Sequence, residues 1–540
     1  MRPPSSRGKR RASRPGFRFT PTCAGTRLGM VPATAAVEGR IPSLGRLARL
    51  EPPPPARPRG RGLTPGLPAP FTAAGPRPAP RRDALAALVE RTSFGFRPDE
   101  YERARALGYE GYLEEQLHPE AIDDSACEAR LAAFPSIALG PAEIAAAYGE
   151  NTLPPFLELK GATLVRAVYS RRQLHERVVE SWSDHFSIDH LKDLSYLFKP
   201  QDDRRVARAH ALGTFPELLA ASARSEAMLY YLDNWLNFAG APQENYAREL
   251  LELHTLGVDG GYGEADVKEV ARCFTGWTLD GDESSSTYLA TRFFDELHAG
   301  GAKLVLGQVI PAFPPRHNAT RVLELVGTHP STARFVGTKL IRRFLTETPP
   351  PELVERVSAT FLATGGDVRA LLRVILAREN LERSAGVLTP KFRRPFHLAA
   401  ALLRALDAEV DGTDTLVFHL MRMGHSPFDW HPPSGYPDRV EAWGSGHLAR
   451  WSFASELLDG AIAGVRLAPG ALLARLEVNG PDDQGGLARR IDRVLFGGVL
   501  SEGELVLLQR FVAAQAHPLG WREVLEAIAL AASLAGYQWF

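Results

Sequence analysis

The chain has 540 residues, 44% hydrophobic and 23% charged, a globular composition long enough for one large domain or two to three ordinary ones. The formal charge of +0 hides an asymmetry: residues 1–82 carry 17 Arg and Lys against two acidic residues, so this segment stands at +15 and the remainder at −15. A body at −15 argues against binding to phosphate backbones, and no nucleic-acid partner is expected.

Residues 1–82 are rich in Arg, Pro, Gly and Ala and have no amphipathic period. Such a segment buries too little apolar surface to offset the entropy of ordering, which predicts a disordered tail or a start codon assigned too far upstream. The composition also resembles that of an organelle transit peptide. Neither Arg10-Arg11 nor Arg81-Arg82 precedes an apolar stretch, so no export signal is readable. The sequence does not decide the compartment. The protein is either cytoplasmic, or exported from a start codon further downstream.

From residue 83 to 540 the pattern is helical, and it predicts one large, mainly α, multi-helix domain. The spacing predicts a long helix from Gly161 to Phe186, with apolar residues on one arc. Residues 278–310 differ, because they are rich in Ser, Thr, Gly and aromatics, and they predict a small β excursion with short strands at 293–294 and 303–306. The most apolar stretch near the end, 524–537, is shorter than a membrane-spanning helix, and no transmembrane segment is expected.

The densest cluster of charged residues lies in a predicted helix over residues 243–256. Glu244, Arg248 and Glu252 are successive i,i+4 neighbours, opposite an apolar face, and Gly257 can close the helix in a left-handed cap. One interpretation is a solvated, salt-bridged face. The other is a polar stripe that points inward, where Glu249 and Glu252, with His254 nearby, could bind a metal ion. On a regular helix Glu252 and His254 point about 160° apart, so both reach one ion only if the helix ends between them.

Several ordered blocks of the sequence resemble the DUF1800 family (domain of unknown function 1800), over most of residues 83–540. The most specific block runs from Glu244-Asn245-Tyr246-Ala247-Arg248-Glu249 to Thr255-Leu256-Gly257. Further blocks that resemble the family are Leu88–Phe96, Gln173–Arg177, Trp182–Phe186, Phe274–Trp277, His329–Ala333 and Pro427–Pro437.

The resemblance implies a large bacterial protein, often exported, without an established activity. The chain departs from the family's pattern where the family commonly has Asn in place of Asp184, a capping Ser or Thr in place of Gly263, and a His-Asp pair in place of His298-Ala299. The last difference weakens any catalytic role that needs that Asp.

Other candidate residues have a structural and a functional interpretation each. His185 lies at the edge of the apolar arc of its helix, as a core residue or as a ligand or general base. Asp233 suits a turn, or a hard cation such as Ca²⁺ or Mg²⁺. His298 lies in the irregular segment. Trp430 and Tyr436 belong to a Pro-rich loop that could stack a sugar or a peptide, or form a lid on the core.

The first hypothesis is an enzyme whose reaction is unassigned, with metal-assisted hydrolysis as one option, although the chain has no nucleophile elbow, phosphate loop or HExxH motif. Its predicted catalytic residues are His185, Glu249, Glu252, His254 and His298. A divalent metal would bind His185, Glu249 and His254, and the predicted binding residues are Asn245, Arg248, Asp233, Trp430 and Tyr436. The alternative is a non-catalytic secreted or envelope scaffold, or interaction protein. Geometry separates the two, because catalysis needs these side chains to converge on an accessible pocket, whereas a scaffold buries them in pairs.

Overall fold

The computed structural model describes residues 83–149, 151–383, 391–444, 446–478, 486–515 and 519–540. The predicted tail, residues 1–82, lies outside the described residues. The described residues belong to one compact unit. It is mainly α-helical, as the sequence predicts.

The α-helices are numbered in chain order. They are α1 (Ala84–Thr92), α2 (Pro98–Leu117), α3 (Ser125–Leu131), α4 (Pro141–Tyr148), α5 (Leu153–Tyr169), α6 (Gln173–His185), α7 (Ser195–Asp202), α8 (Phe215–Ala223), α9 (Glu226–Tyr231), α10 (Asn245–Glu249), α11 (Glu264–Phe274), α12 (His317–Gly327), α13 (Pro330–Phe344), α14 (Pro351–Thr364), α15 (Val368–Ile375), α16 (Arg378–Arg383), α17 (Pro395–Ala405), α18 (Asp414–Arg422), α19 (His447–Leu458), α20 (Pro469–Arg475), α21 (Leu487–Arg490), α22 (Glu502–Ala513) and α23 (Trp521–Ser533).

Three of these helices continue into π-helical turns, after α7 (Asp203–Arg208), after α10 (Leu250–Thr255) and after α21 (Ile491–Leu495). Short 3-10 turns occur at Pro119–Ala121, Pro135–Ala138, Asn234–Leu236, Asp295–Leu297, Val440–Ala442 and Gly536–Gln538. A π turn shifts the phase of the side chains that follow it, so helical-wheel positions calculated for a regular α-helix fail beyond it.

The β excursion is confirmed as two antiparallel hairpins. β1 (Trp277–Leu279) pairs with β2 (Thr291–Phe293), and β3 (Lys303–Val305) pairs with β4 (Gln308–Ile310). A third pair, β5 (Glu409–Val410) with β6 (Val465–Arg466), has two residues in each strand, which is too short for an alternating pattern to be read from the sequence.

The centre of the C-terminal half is α17, in which every residue from Pro395 to Ala405 is buried. Its leucines and alanines pack against α5, α18, α19 and the helices that follow. Each leucine buried in this way contributes about 1.5–3 kcal/mol relative to an exposed one. Because α17 has no solvent face, its polar side chains, His397 and Arg404, must find partners inside the protein.

The single helix predicted over residues 161–186 is wrong, because α5 ends at Tyr169 and α6 begins at Gln173. The break contains neither Gly nor Pro. It is stabilised by a side chain of α2 and by the side chain of the residue that precedes α3. Asp124 accepts hydrogen bonds from Ser170 Oγ (2.8 Å) and from the Arg171 N–H (2.7 Å). Gln116 accepts one from the Leu174 N–H (3.1 Å). These bonds satisfy polar groups that a continuous helix would have paired internally.

Candidate functional site

The charge-rich segment is α-helical only over α10 and continues as a π-helix over Leu250–Thr255. The Leu256 N–H donates to the Leu251 carbonyl (2.9 Å), and so does the Gly257 N–H (3.1 Å). Gly257 has a φ of +83°, so the predicted left-handed end of the helix is confirmed.

Arg248 faces solvent and not the interior. Its guanidinium donates to both carboxylate oxygens of Glu264 (2.7 and 2.8 Å) and lies 3.5 Å from Glu244. Asn245 donates to the Leu232 carbonyl (3.3 Å). Burial and the like charge of Glu252 raise the pKa of Glu249. The geometry therefore fits the solvated, salt-bridged interpretation of this face, and it places no metal-binding stripe inside the protein.

His185 and His254, hereafter the histidine pair, are both buried, 3% and 1% exposed. The ring centroids lie 6.1 Å apart, among aromatic side chains that include Phe186 and Phe335. His185 Nε2 donates to the His254 carbonyl (3.0 Å). Burial, and secondarily the charge of Lys339, lowers the pKa of His254 to about 3 and that of His185 well below its usual value. Both rings are therefore neutral at pH 7.

His298 is in a different environment, where both of its ring nitrogens have partners. Nδ1 lies 2.8 Å from the Thr275 carbonyl, and Nε2 lies 2.9 Å from Asn318 Oδ1 and 3.1 Å from Lys303 Nζ. Asp233 is a turn residue with a φ of +60°, and its carboxylate pairs with Lys192 at 3.1 Å. Of the predicted catalytic residues, His185 and His254 thus lie together, whereas His298 occupies a different environment.

Trp430 and Tyr436 belong to a loop, residues 427–437, that is packed on the core. Tyr436 is 9% exposed, its hydroxyl donates to the Ser426 carbonyl (2.8 Å), and its ring contacts those of Trp430 and Trp443. Gly435 has a φ of +74°, and a Cβ there would lie 1.9 Å from the Asp184 carbonyl oxygen. The loop therefore lies directly on α6, which fits the lid interpretation.

A narrow crevice lies between this loop and α6, lined by Glu180, Ser183, Asp184, Trp430 and Tyr436 among others. Its volume is about 40 Å³, which holds roughly three water molecules. Ser183 Oγ and Trp430 Nε1 are buried without a hydrogen-bond partner among the described residues, so they are available to such waters. The crevice is too small for a sugar or a peptide side chain.

A larger cleft of about 490 Å³ lies elsewhere, between α2, α3 and residues 169–171. Two of its arginines pair with acidic groups, Arg404 with Glu100 and Arg130 with Glu409, the latter at 2.8 Å. It contains none of the predicted catalytic or binding residues. It has the room of an ordinary ligand site, and no motif in the sequence identified it.

Sequence reasoning missed a buried ion-pair cluster, which consists of Glu180, Asp184, Arg343, Arg394 and His397. Arg394 donates to Glu180 (2.5 Å) and to Asp184 (2.8 Å), and Arg343 donates to Asp184 (2.6 Å). His397 Nε2 lies 2.8 Å from Glu180. Burial alone would raise the pKa of Glu180, but Arg343, His397 and Arg394 together hold it well below its usual value. The i,i+4 spacing of Glu180 and Asp184 was the available signal, but their partners lie 159 to 217 residues further along the chain.

The described part of the chain holds no group of three or more His, Cys, Asp and Glu side chains close enough to share a metal ion. The predicted three-residue metal site is therefore not assembled, because Glu249 does not join the histidine pair. The catalytic and binding roles of the predicted residues stay predictions.

None of the described helices is long and apolar enough to cross a membrane.

Comparison with known proteins places the chain in a family. No curated protein and no solved structure matches the chain. The sequence pattern of the family described as "Protein of unknown function (DUF1800)" matches residues 87–539, which is nearly the whole described chain. The chain therefore belongs to the DUF1800 family.

Proposed function

We propose that this domain is a non-catalytic scaffold whose buried charges fix the packing of distant chain segments. The observation that carries the proposal is the ion-pair cluster. It joins α6, through Glu180 and Asp184, to α13, through Arg343, and to the start of α17, through Arg394 and His397.

The cluster extends to a fourth segment through Asp438, just after the loop. Lys391 lies 3.2 Å from Asp438, and Arg343 lies 4.0 Å from it. Arg394 and Arg343 are 1% and 5% exposed, so these charges are removed from water on folding. Such pairs contribute little net stability compared with apolar residues, but a wrong packing would leave a charge buried without a partner, at a cost of several kcal/mol. The cluster therefore penalises alternative arrangements of the four segments.

The placement of the predicted catalytic side chains supports the same proposal. The histidine pair is buried among aromatic rings, His298 is bonded on both nitrogens, and Arg248 is paired at the surface. A catalytic site needs such groups around one space that a substrate can enter. Here His298 and Arg248 are bonded within the protein, and neither the crevice nor the cleft is lined by any of these side chains.

The proposal is tested with Asp184→Asn, matched by Glu355→Gln as a control. Asp184 pairs with two buried arginines, whereas the Arg334–Glu355 pair is exposed. We expect Asp184→Asn to lower the free energy of unfolding by about 3–5 kcal/mol and Glu355→Gln by less than about 1 kcal/mol, measured by urea denaturation.

The same preparations are assayed with ester, phosphate, glycoside and peptide substrates. A scaffold gives no turnover above background in the wild type. Turnover that disappears in a folded His185→Gln or Glu249→Gln variant would overturn the proposal in favour of an enzyme.

A further inference from the structure

The histidine pair has a property that the scaffold does not require: each ring carries a buried nitrogen without a partner. His185 Nε2 donates its proton to the His254 carbonyl, because a carbonyl can only accept. This fixes the tautomer and leaves a lone pair on His185 Nδ1. That atom, and His254 Nε2, are buried and have no hydrogen-bond partner among the described residues. Buried polar atoms are rarely left in this state without a reason.

The arrangement of His185 is the one that metal-binding histidines adopt. A ligating imidazole usually donates its other N–H to a carboxylate or a backbone carbonyl, which fixes the ring and raises the basicity of the ligating nitrogen. His254 is presented by the π-helical turn Leu250–Thr255, and π turns often occur at functional sites. Burial keeps both rings neutral, which is the form that binds metals.

The distance between the two ring centroids is also long enough to place one ion between them. Imidazole nitrogens bind such metals at about 2 Å, so two rings in line across one ion have centres roughly 6 Å apart. The observed separation of the centroids is 6.1 Å. The described chain offers no third His, Cys, Asp or Glu ligand at this place, so the ion must accept two ligands.

We propose that His185 and His254 bind one monovalent, soft d¹⁰ ion, Cu(I), as a two-coordinate complex. Imidazole suits copper, and Cu(I) is stable with two nitrogen ligands in line, whereas Zn²⁺ almost always takes four. The surroundings also favour the lower charge. Phe186, Phe335 and the amine of Lys339 surround the pair, and in such a medium the solvation cost of a single charge is roughly a quarter of that of a double charge.

The test uses the full chain, purified without a His tag and without chelator from a copper-supplemented culture. We expect about one copper per chain by plasma mass spectrometry, and anaerobic titration against a chromogenic Cu(I) chelator gives the affinity. His185→Gln and His254→Gln each abolish binding. His298→Gln is the matched control, because His298 is a buried histidine whose two nitrogens are already bonded, and it retains binding.

Lys339→Leu provides a readout that a purely structural role would not move. Its amine is one of the causes of the low pKa of both rings, and removing the charge should tighten Cu(I) binding about tenfold. If a glutamine variant does not fold, X-ray absorption of the loaded wild-type protein decides, with two nitrogen ligands and no others expected. Absence of copper binding by the wild type, retention of copper in the His185→Gln/His254→Gln double variant, or a four-coordinate spectrum overturns the proposal. None of these outcomes bears on whether the domain is a scaffold, which the Asp184→Asn test addresses separately.

Discussion

Buried carboxylates and buried histidines respond to their surroundings in opposite ways in this domain. Burial disfavours the charged form of both, but Glu180 lies among arginines and stays ionised, whereas His254 lies near the amine of Lys339 and stays neutral. Both conditions are lost in acid, since protonation removes the carboxylate's charge and gives the histidine one. Glu180 and His254 therefore both predict that the free energy of unfolding decreases as the pH falls.

His254 makes a separable contribution to this acid sensitivity. The unfolded chain binds a proton there near pH 6.5, whereas the folded chain does so only at a pKa of about 3. The stability that the folded protein gains from a neutral His254 is therefore fully present above pH 6.5, and it is lost as the pH drops from 6.5 towards 3. Between pH 7 and pH 5 the wild type should lose about 2 kcal/mol more than His254→Gln, measured by urea denaturation at each pH. His118→Gln, at a side chain 44% exposed, is the control, and equal losses in wild type and His254→Gln would refute the assignment.

At the scale of elements, the break between α5 and α6 depends on a side chain from another part of the chain. Asp124 is 5% exposed and accepts bonds from Ser170 and from the Arg171 N–H, and its neighbour Asp123 caps Ser125 at the surface. Asp124 therefore supports the break between two helices, whereas its neighbour Asp123 makes one exposed hydrogen bond. The two residues can be compared directly.

Asp124→Ala should lower the free energy of unfolding by about 2–3 kcal/mol, since it leaves the Arg171 N–H and the Ser170 hydroxyl without their acceptor. Asp123→Ala, which removes one exposed bond, should cost about 1 kcal/mol or less. Thermal denaturation of both variants measures the difference. Equal effects would show that the break does not depend on Asp124.

Gly435 offers a second comparison at this scale, with Gly424 as its control. Both have a positive φ (+74° and +77°), but a Cβ at 435 meets the Asp184 backbone at 1.9 Å, whereas nothing lies within 4 Å of one at 424. Gly424→Ala should cost about 1 kcal/mol from backbone strain alone. Gly435→Ala should cost at least about 3 kcal/mol, or release the loop from α6. Hydrogen exchange of residues 427–437 distinguishes these outcomes, and an equal effect of both variants would contradict the close packing.

Local sequence signals predicted the elements that local interactions determine. The left-handed end of the charge-rich helix at Gly257, with a φ of +83°, follows from the residues themselves, and so do the strands near 293 and 303. The break at residues 170–172 and the π turn after α10 could not be read in this way. Asp124 supplies the first through space, and the π turn has no residue signature. The ion-pair cluster could not be predicted for the same reason, because the partners of Glu180 and Asp184, Arg343 and Arg394, lie far along the chain.

At the scale of the whole molecule, the ion-pair cluster and α17 connect the two halves of the described chain. Residues 391–393 also pair with the final residues, where the Phe540 N–H donates to the Lys391 carbonyl (2.9 Å) and the Arg393 N–H donates to the Gln538 carbonyl (2.7 Å). Segments connected in this way should not unfold separately.

We therefore expect a single calorimetric unfolding transition, with a van't Hoff enthalpy close to the calorimetric one. Asp184→Asn should lower the temperature of this transition without splitting it. Two resolved transitions in the wild type would contradict the view that the cluster joins the halves into one cooperative unit.

The sequence separations within the cluster bear on how the protein is made. Asp184 meets its arginines 159 and 210 residues later, and Glu180 meets His397 217 residues later. At roughly 5–20 residues per second, a ribosome that has completed α6 needs about 10–40 seconds to deliver α17. During that interval the two carboxylates of α6 have no partners, and the apolar surface that α17 will cover is exposed. Such a nascent chain is a natural client for chaperones that bind at the ribosome, and slower translation after α6 would prolong its exposure to aggregation.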